Sequence, residues 1–447
     1  MAVPRRTFLV AATAASYRRV LGANDRVGIG FVGFGLIGAQ HVHDFRSQSD
    51  ASLVALSDAY QPRLEQGVAA CGGTARGYAD FRKLLDDRDV DAVVVSTPDH
   101  WHALMTMMAC AAGKDVYVEK PLTLFIREGR WMTDVARRHN RIVQVGTQQR
   151  SGPHYQRAKE LLQSGSVGQL LEARMGSARN IMPGFGTPPD SPAPHGFDYE
   201  MWLGPAPERS YDPHRGLYHF RWFWDYSGGQ MTNLGAHEID IVQCVLGAKG
   251  PLAVTSTGGR WALQDDGETP DTQDALFEYP KFAALWSHRE AGMGMRVQRG
   301  LEFIGTKGTL MVSRSGFDVQ SDMRIDPENA VPVYQGMPSG GPKRSATKGT
   351  PWIENPEHGK GSEAEQLTGH VRNFLDCVKS RQRPIAEVED GHRTAVACHL
   401  ANISLRVGRK VRWDAENERI AGDPEASAML ERPYRKPWDS VLRSLLA

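Results

Sequence analysis

Three glycines constrain this chain more than any other feature. They stand in "FVGFGLIGAQHV", residues 31–42, as Gly33, Gly35 and Gly38, a G-x-G-x-x-G frame. An apolar run, "RVGIGFVG", precedes the frame, and a helical pattern over residues 36–48 follows it. A strand that turns into a helix through such a loop has a specific physical use. Gly33 permits the tight turn, Gly35 lets backbone approach a pyrophosphate, and Gly38 lets helix and strand pack closely. The first-turn N–H groups at Phe34, Leu36 and Ile37 and the helix dipole then favour an anion. Asp58 ends the next apolar run, "SLVALSD", 20 residues beyond Gly38. A carboxylate there accepts hydrogen bonds from a ribose diol and repels a 2′-phosphate, which favours NAD over NADP.

Downstream, apolar runs and helical patterns alternate. "DAVVVSTP" and "KDVYVEKP" are buried strands stopped by Pro98 and Pro121, with the apolar helix "HALMTMMACAAG" between them. A helix over residues 128–139 and the strand "RIVQVGT" follow. This alternation predicts an α/β fold, a doubly wound parallel Rossmann sheet over residues 27–147. Ligands bind at the carboxyl edge of such sheets, which nominates Ser96, Thr97, Pro98, His102, Glu119, Lys120 and Gln149 beside the cofactor. His100 and His102 of "HWH" have no third metal ligand nearby, and no metal is expected.

After residue 147 the texture changes. A helix at residues 155–163 leads to "GQLLEARMGSAR", then "PLAVTSTGGRW", "DALFEYP", "FAALWSHRE" and "GLEFIGTKGTLMVS". Consecutive strands predict an α+β domain with a mostly antiparallel open sheet over residues 148–413. Residues 326–363, rich in Pro, Gly and Lys, are expected as a loop insertion, and residues 414–447 as a C-terminal extension. The net charge of +1 gives no reason to expect nucleic acid, and no apolar run after the first residues spans a bilayer. Five scattered cysteines form neither a disulfide framework nor a zinc site. Arg5 and Arg6 directly before "TFLVAATAAS" resemble a twin-arginine export signal, so residues 1–26 are set apart from the fold as a leader, or else as a basic tail; export to the periplasm is the expectation, and the cytoplasm the alternative.

The motifs "GFGLIG", "STPDHWHA", "EKPL", "GTQQRS" and "GGQMTNLGAHEIDIV" occur here in the order that resembles the glucose–fructose oxidoreductase/inositol dehydrogenase/MocA family. That resemblance spans roughly residues 27–413. It implies an NAD(P)-dependent oxidoreductase of sugars, cyclitols or related polyols, with a second domain that carries the substrate site and packs into homo-oligomers. It also implies that Lys120 of "EKP" contacts the substrate hydroxyl and the nicotinamide, and that His237 is a second-domain acid/base. Burial and a nearby nicotinium charge lower the pKa of such a lysine, while an unperturbed imidazole titrates near ~6.5. Many members of the family carry Asp four residues before the histidine, where this chain has Asn233. Helical spacing puts Asn233 and His237 on one face, both toward the cleft, with Asn233 expected to hydrogen-bond a sugar hydroxyl; Asp240, one turn on, is expected to orient His237.

"HFRWFWDYSGG", residues 219–229, combines flat rings with charged hydrogen-bonders, a pairing that suits sugars. It nominates Arg221, Trp222, Trp224 and Asp225 as substrate residues, with a packed loop as the other reading. Arg150 and Tyr155 are expected on the opposite wall, with a structural ion pair as the alternative for Arg150. Three functions fit. One is a dehydrogenase that exchanges free NAD. Another is an exported enzyme that retains and recycles its NAD, as a sugar–sugar oxidoreductase or a glycosidase. The third is a non-catalytic sugar- or NAD-binding protein.

Overall fold

The computed structural model describes residues 26–293, 300–325 and 349–447, and the expected leader and most of the expected loop insertion lie outside the described residues. Six parallel strands form the first sheet: β1 (Val27–Val32), β2 (Ala51–Ser57), β3 (Arg76–Tyr78), β4 (Ala92–Val95), β5 (Asp115–Val118) and β6 (Val143–Val145), in the order β3-β2-β1-β4-β5-β6. Strands β1, β4 and β5 are buried along their whole length, because helices cover both faces, and so they read as unbroken apolar runs. The glycines within β1 have a packing cause. A Cβ at Gly28 would sit 1.9 Å from the Asp89 carbonyl oxygen.

The second sheet holds β7 (Leu170–Ala178), β8 (Ala253–Gly259), β9 (Thr272–Glu278), β10 (Ala283–Arg289), β11 (Gly300–Gly305), β12 (Gly308–Ser313) and β13 (Gly316–Ser321). The short pair β14 (Met323–Ile325) and β15 (Gly349–Pro351) stands apart, while β16 (His358–Lys360), β17 (Val411–Asp414) and β18 (Arg419–Ile420) complete the large sheet. Its order is β16-β13-β12-β11-β7-β10-β9-β8-β17-β18, antiparallel throughout except at the central β7–β10 pair. Burial alternates along β9, β11 and β12, so one face packs on helices and the other is left open. The helices Gly235–Leu246 and Val388–Val407 supply the covering core.

Later segments return to finish the first unit. In the helix Glu363–Ser380, Val371, Phe374, Leu375 and Val378 pack with Phe45 and Tyr117 under the parallel sheet. The C-terminal extension places Trp438 against Phe81 and Trp101, and the Tyr434 hydroxyl donates to Glu128 at 2.7 Å. The Rossmann core is therefore closed by residues more than 250 positions away, a distance no local pattern reports. No described helix is long and apolar enough to cross a membrane.

Candidate active site

A cavity of about 550 Å³ lies along the carboxyl edge of the parallel sheet, between the two sheets' domains. Gly33, Gly35, Leu36 and Ile37 form one wall, with Asp58 at one end and Lys120, Asn233 and His237 at the other. The glycine loop has the shape its sequence implies. Gly33 has φ +92°, and a Cβ there would sit 2.8 Å from the Ser96 carbonyl oxygen. A Cβ on Gly38 would sit 2.1 Å from the Gly33 carbonyl oxygen, so this residue sets the close approach of helix to strand and does not line the cavity. At Gly35 the space is open, with only the Arg63 guanidinium at 4.0 Å. The Phe34 side chain turns away toward Gly67, while its N–H donates to Asp58 Oδ2 at 2.7 Å; Tyr60 N–H donates to Oδ1 at 2.8 Å.

These residues fit a dinucleotide. The loop offers backbone N–H groups and an open cradle at Gly35, Asp58 is held rigid at the ribose position, and the hydroxyls of Ser96 and Thr97 are buried on the wall with no partner among the described residues. His102 lines the cavity, and its ring nitrogens face the carbonyls of Pro121 (2.7 Å) and Thr97 (2.8 Å), so it ties two wall loops together. His100 turns outward to the Trp202 carbonyl at 2.9 Å. Among the described residues one cluster has metal-ligand geometry, Asp212, His214 and Asp266, with donor atoms within 4.8 Å of one another; it lies outside the cavity lining.

Lys120 lies two residues past the end of β5, and its Nζ donates to the Asn233 carbonyl (2.9 Å) and to Asn233 Oδ1 (3.0 Å). Burial pushes its ammonium down to about 8, and the carboxylate of Glu119 limits that fall. Glu119 is itself fixed, with Oε1 2.7 Å from His41 Nε2 and Oε2 accepting the Lys120 N–H at 3.0 Å. His237 reaches the same cavity from the second domain, and its Nδ1 is buried without a partner among the described residues. Burial first, then the charges of Lys120 and Arg314, hold His237 well below the ordinary imidazole range. The imidazole is therefore neutral at physiological pH, which corrects the expectation of an unperturbed titration.

Several other expectations are corrected. Asn233 does line the cavity, where it also holds Lys120, but Asp240 does not orient His237. Asp240 instead receives a two-pronged ion pair from Arg150, at 2.7 and 2.8 Å, with both side chains almost fully buried. Arg150 is a structural residue away from the cavity. Tyr155 is buried in the second-domain core and its hydroxyl accepts from Gln149 Nε2 at 2.7 Å, so neither lines the cavity; Gln148 does. Trp222 is buried with its Nε1–H donated to Glu290 at 2.9 Å. Trp224 lies under Arg406, 5.2 Å from its ring centroid, beside a separate small cavity. Asp225 pairs with Arg209 and Arg432. Of that stretch Phe220, Arg221 and Ser227 line the cavity. Sequence patterns gave no signal for Arg314, Glu363, Phe197, Met201 or Trp202, which also line it from distant segments.

The site is thus a dinucleotide cradle on a Rossmann sheet, with a lysine and a histidine from separate domains at its far end. Family models agree with that architecture. Residues 27–147 match the GFO_IDH_MocA oxidoreductase family, NAD-binding Rossmann fold, and residues 158–258 and 359–440 match the C-terminal alpha/beta domain of the same family. The chain belongs to this family.

Among its relatives, inositol 2-dehydrogenase 1 of Saccharopolyspora erythraea is 36% identical over 184 residues, which are 40% of this chain and 54% of that enzyme. The inositol 2-dehydrogenase 2 of the same organism is 30% identical over 56% of this chain and 61% of its own length. Myo-inositol 2-dehydrogenase of Thermotoga maritima is 23% identical over 86% of this chain and 98% of its own. The chain thus aligns with little more than half the length of the first two. A levoglucosan dehydrogenase solved with NADH and levoglucosan shares the fold, with TM-score 0.66 and 16% identity over 88% of this chain and 100% of that one.

Proposed function

We propose that this protein is an NAD-dependent dehydrogenase of a sugar or cyclitol, moving a hydride between a secondary hydroxyl carbon and the nicotinamide. One observation carries the reading: Lys120 and His237, from different domains, meet in the cavity that begins at the glycine loop. Gly33, Gly35, Leu36, Ile37 and Asp58 would hold the dinucleotide, which supplies the hydride acceptor when bound. The chain's own residues manage the proton. A lysine poised near 8 is neutral in an appreciable fraction at working pH, so Nζ takes the hydroxyl proton as the carbon is oxidised and returns it in the reverse direction. Neutral His237 hydrogen-bonds the same oxygen and fixes its orientation. Asn233 aims the Lys120 amine without favouring its charged form, as a carboxylate would. The inositol and levoglucosan substrates in the names of its relatives favour a ring polyol.

The test is a screen of free sugars, glycosides and inositols for NAD reduction, with Lys120→Ala as control. Reduction by a ring polyol that the variant abolishes is the expected result; equal rates in both proteins would reject the assigned lysine. Two further proposals accompany this reading. The open face of the large sheet, with Leu171, Leu276 and Leu285 exposed, is taken as a homo-oligomer interface; a monomer in light scattering would reject it. The Arg5–Arg6 segment is taken as an export signal; unchanged localisation when both are replaced by Lys would reject it.

A further inference from the structure

A chain of hydrogen bonds runs from the Lys120 amine away from the cavity and into the second domain. Its first link is Lys120 Nζ donating to Asn233 Oδ1 at 3.0 Å. Asn233 Nδ2 then donates to Gln230 Oε1 at 3.2 Å. Both residues belong to the short helix Gly229–Asn233, and a spacing of three puts them on one side of it. Gln230 Nε2 in turn donates to Glu290 Oε1 at 2.8 Å. Glu290 directly follows β10, and both it and Gln230 are almost fully buried. Neither lines the cavity.

At its far end the chain meets only donors. Arg179 Nε donates to Glu290 Oε1 at 2.9 Å, and Arg179 Nη2 makes a second bond to the same oxygen. The Trp222 indole N–H donates to Oε2 at 2.9 Å. The Arg179 guanidinium also lies over the Trp222 ring, 5.4 Å from its centroid. A carboxylate accepts and cannot donate, whereas a primary amide accepts at one end and donates at the other. Polarity therefore passes along the chain. Glu290 accepts, so Gln230 turns its NH2 toward it and its carbonyl toward Asn233. Asn233 then turns its NH2 toward Gln230 and its carbonyl toward Lys120. An amide without such a fixed partner rotates by half a turn at little steric cost, because its oxygen and its NH2 are close in size. A rotated Asn233 would set an N–H against the lysine amine.

We propose that Gln230 and Glu290 are positioning residues: the Glu290 carboxylate sets which way the Gln230 and Asn233 amides point, and so keeps an acceptor oxygen against Lys120 Nζ. The proposal rests on the reading of Lys120 as the base. The amine gains a fixed acceptor from a neutral side chain, while the negative charge stands two links further on. The charged groups that act on the amine, Glu119 and Asp99 from the first domain and Arg221 and Arg314 from the second, stay in place when Gln230 is changed.

Titration of Lys120 in the full-length protein tests it. The amine is labelled with acetic anhydride from pH 6 to 10, and the Lys120 peptide is followed by mass spectrometry, so no sugar is needed. The wild-type midpoint is expected near 8. Gln230→Met is close in size and cannot relay a hydrogen bond. It frees Asn233 to turn its N–H toward the ammonium, which disfavours the charged form, so the midpoint moves down by about 0.5–1 unit. In an Asn233→Asp background, where an oxygen faces the amine whichever way the side chain turns, adding Gln230→Met is expected to move the midpoint little. An unmoved midpoint in Gln230→Met, or an equal move in both backgrounds, would overturn the proposal. Should Gln230→Met not fold by circular dichroism, Glu290→Asp decides. It keeps a carboxylate for Arg179 but draws it back from Gln230, and the same downward move is expected, with an unmoved midpoint again overturning the relay. If the midpoints behave as expected while Lys120→Ala reduces NAD with a polyol at the full rate, the base reading falls and the relay stands.

Discussion

Replacing Asn233 by Asp is the sharpest test of the proposed proton chemistry. Lys120 Nζ lies 3.0 Å from Asn233 Oδ1, and its pKa is pushed down to about 8. A carboxylate oxygen at that distance would attract the ammonium by about 5 kcal/mol at an effective dielectric near 20. Desolvating the new carboxylate offsets part of this, and opposite charges at such range shift a pKa by roughly 1–3 units. The sign is upward, because the charged amine is the form that gains. Oxidation needs the neutral amine, so the rising limb of the pH–rate profile moves to higher pH. With each unit worth about tenfold below the midpoint, the rate near pH 7 falls by about 10- to 1000-fold. The assay is initial NADH formation at saturating polyol from pH 6 to 10.5. Recovery of most of the wild-type rate at the alkaline end is expected. An unmoved midpoint, or one that moves down, would refute Lys120 as the titrating base.

Lys120→Ala is expected to lower the rate by about 10²–10⁴ at every pH while leaving NADH binding measurable by fluorescence; a loss under tenfold contradicts the assignment. Arg150→Ala leaves the buried Asp240 carboxylate without its partner and should cost about 3–5 kcal/mol in urea unfolding, whereas under 1 kcal/mol would mean the pair is idle. Gly35→Ala should weaken NADH binding with little change in Tm, since its Cβ enters open space, while Gly38→Ala should lower Tm because its Cβ meets the Gly33 carbonyl; the opposite pattern would mean the cradle is misassigned. Burial raises the pKa of Glu418, but its bonds to His392 and Arg130 outweigh that and hold it at about 2. A depressed carboxylate contributes stability above its unfolded pKa of ~4.3 and loses it as pH falls toward the folded value, so the stability gap between wild type and Glu418→Gln should narrow from pH 6 to pH 2. A gap constant across that range counts against the ion pair.

Sequence alone determined what depends on neighbours in the chain. The glycine frame, the acid after β2 and the prolines after β4 and β5 encode backbone geometry within a few residues, and they placed the parallel sheet, Asp58 and Lys120 where the structure has them. The short β16 escaped because His358–Lys360 carries no apolar alternation of its own, while β13 offered only two alternating apolar residues, Phe317 and Val319. Tertiary structure decided what depends on partners far along the chain. Arg150 became a structural cation because Asp240, 90 positions on, is buried against it. His237 stays neutral because burial and Lys120 both oppose its charge. Trp222 and Asp225 left the cavity for Glu290, Arg209 and Arg432. The chain of bonds from Lys120 to Glu290 exists only once three distant stretches meet. Hydrogen-bond geometry and side-chain period act over a turn or two of helix, whereas burial and charge pairing act over distance in space, and it is the fold that sets that distance.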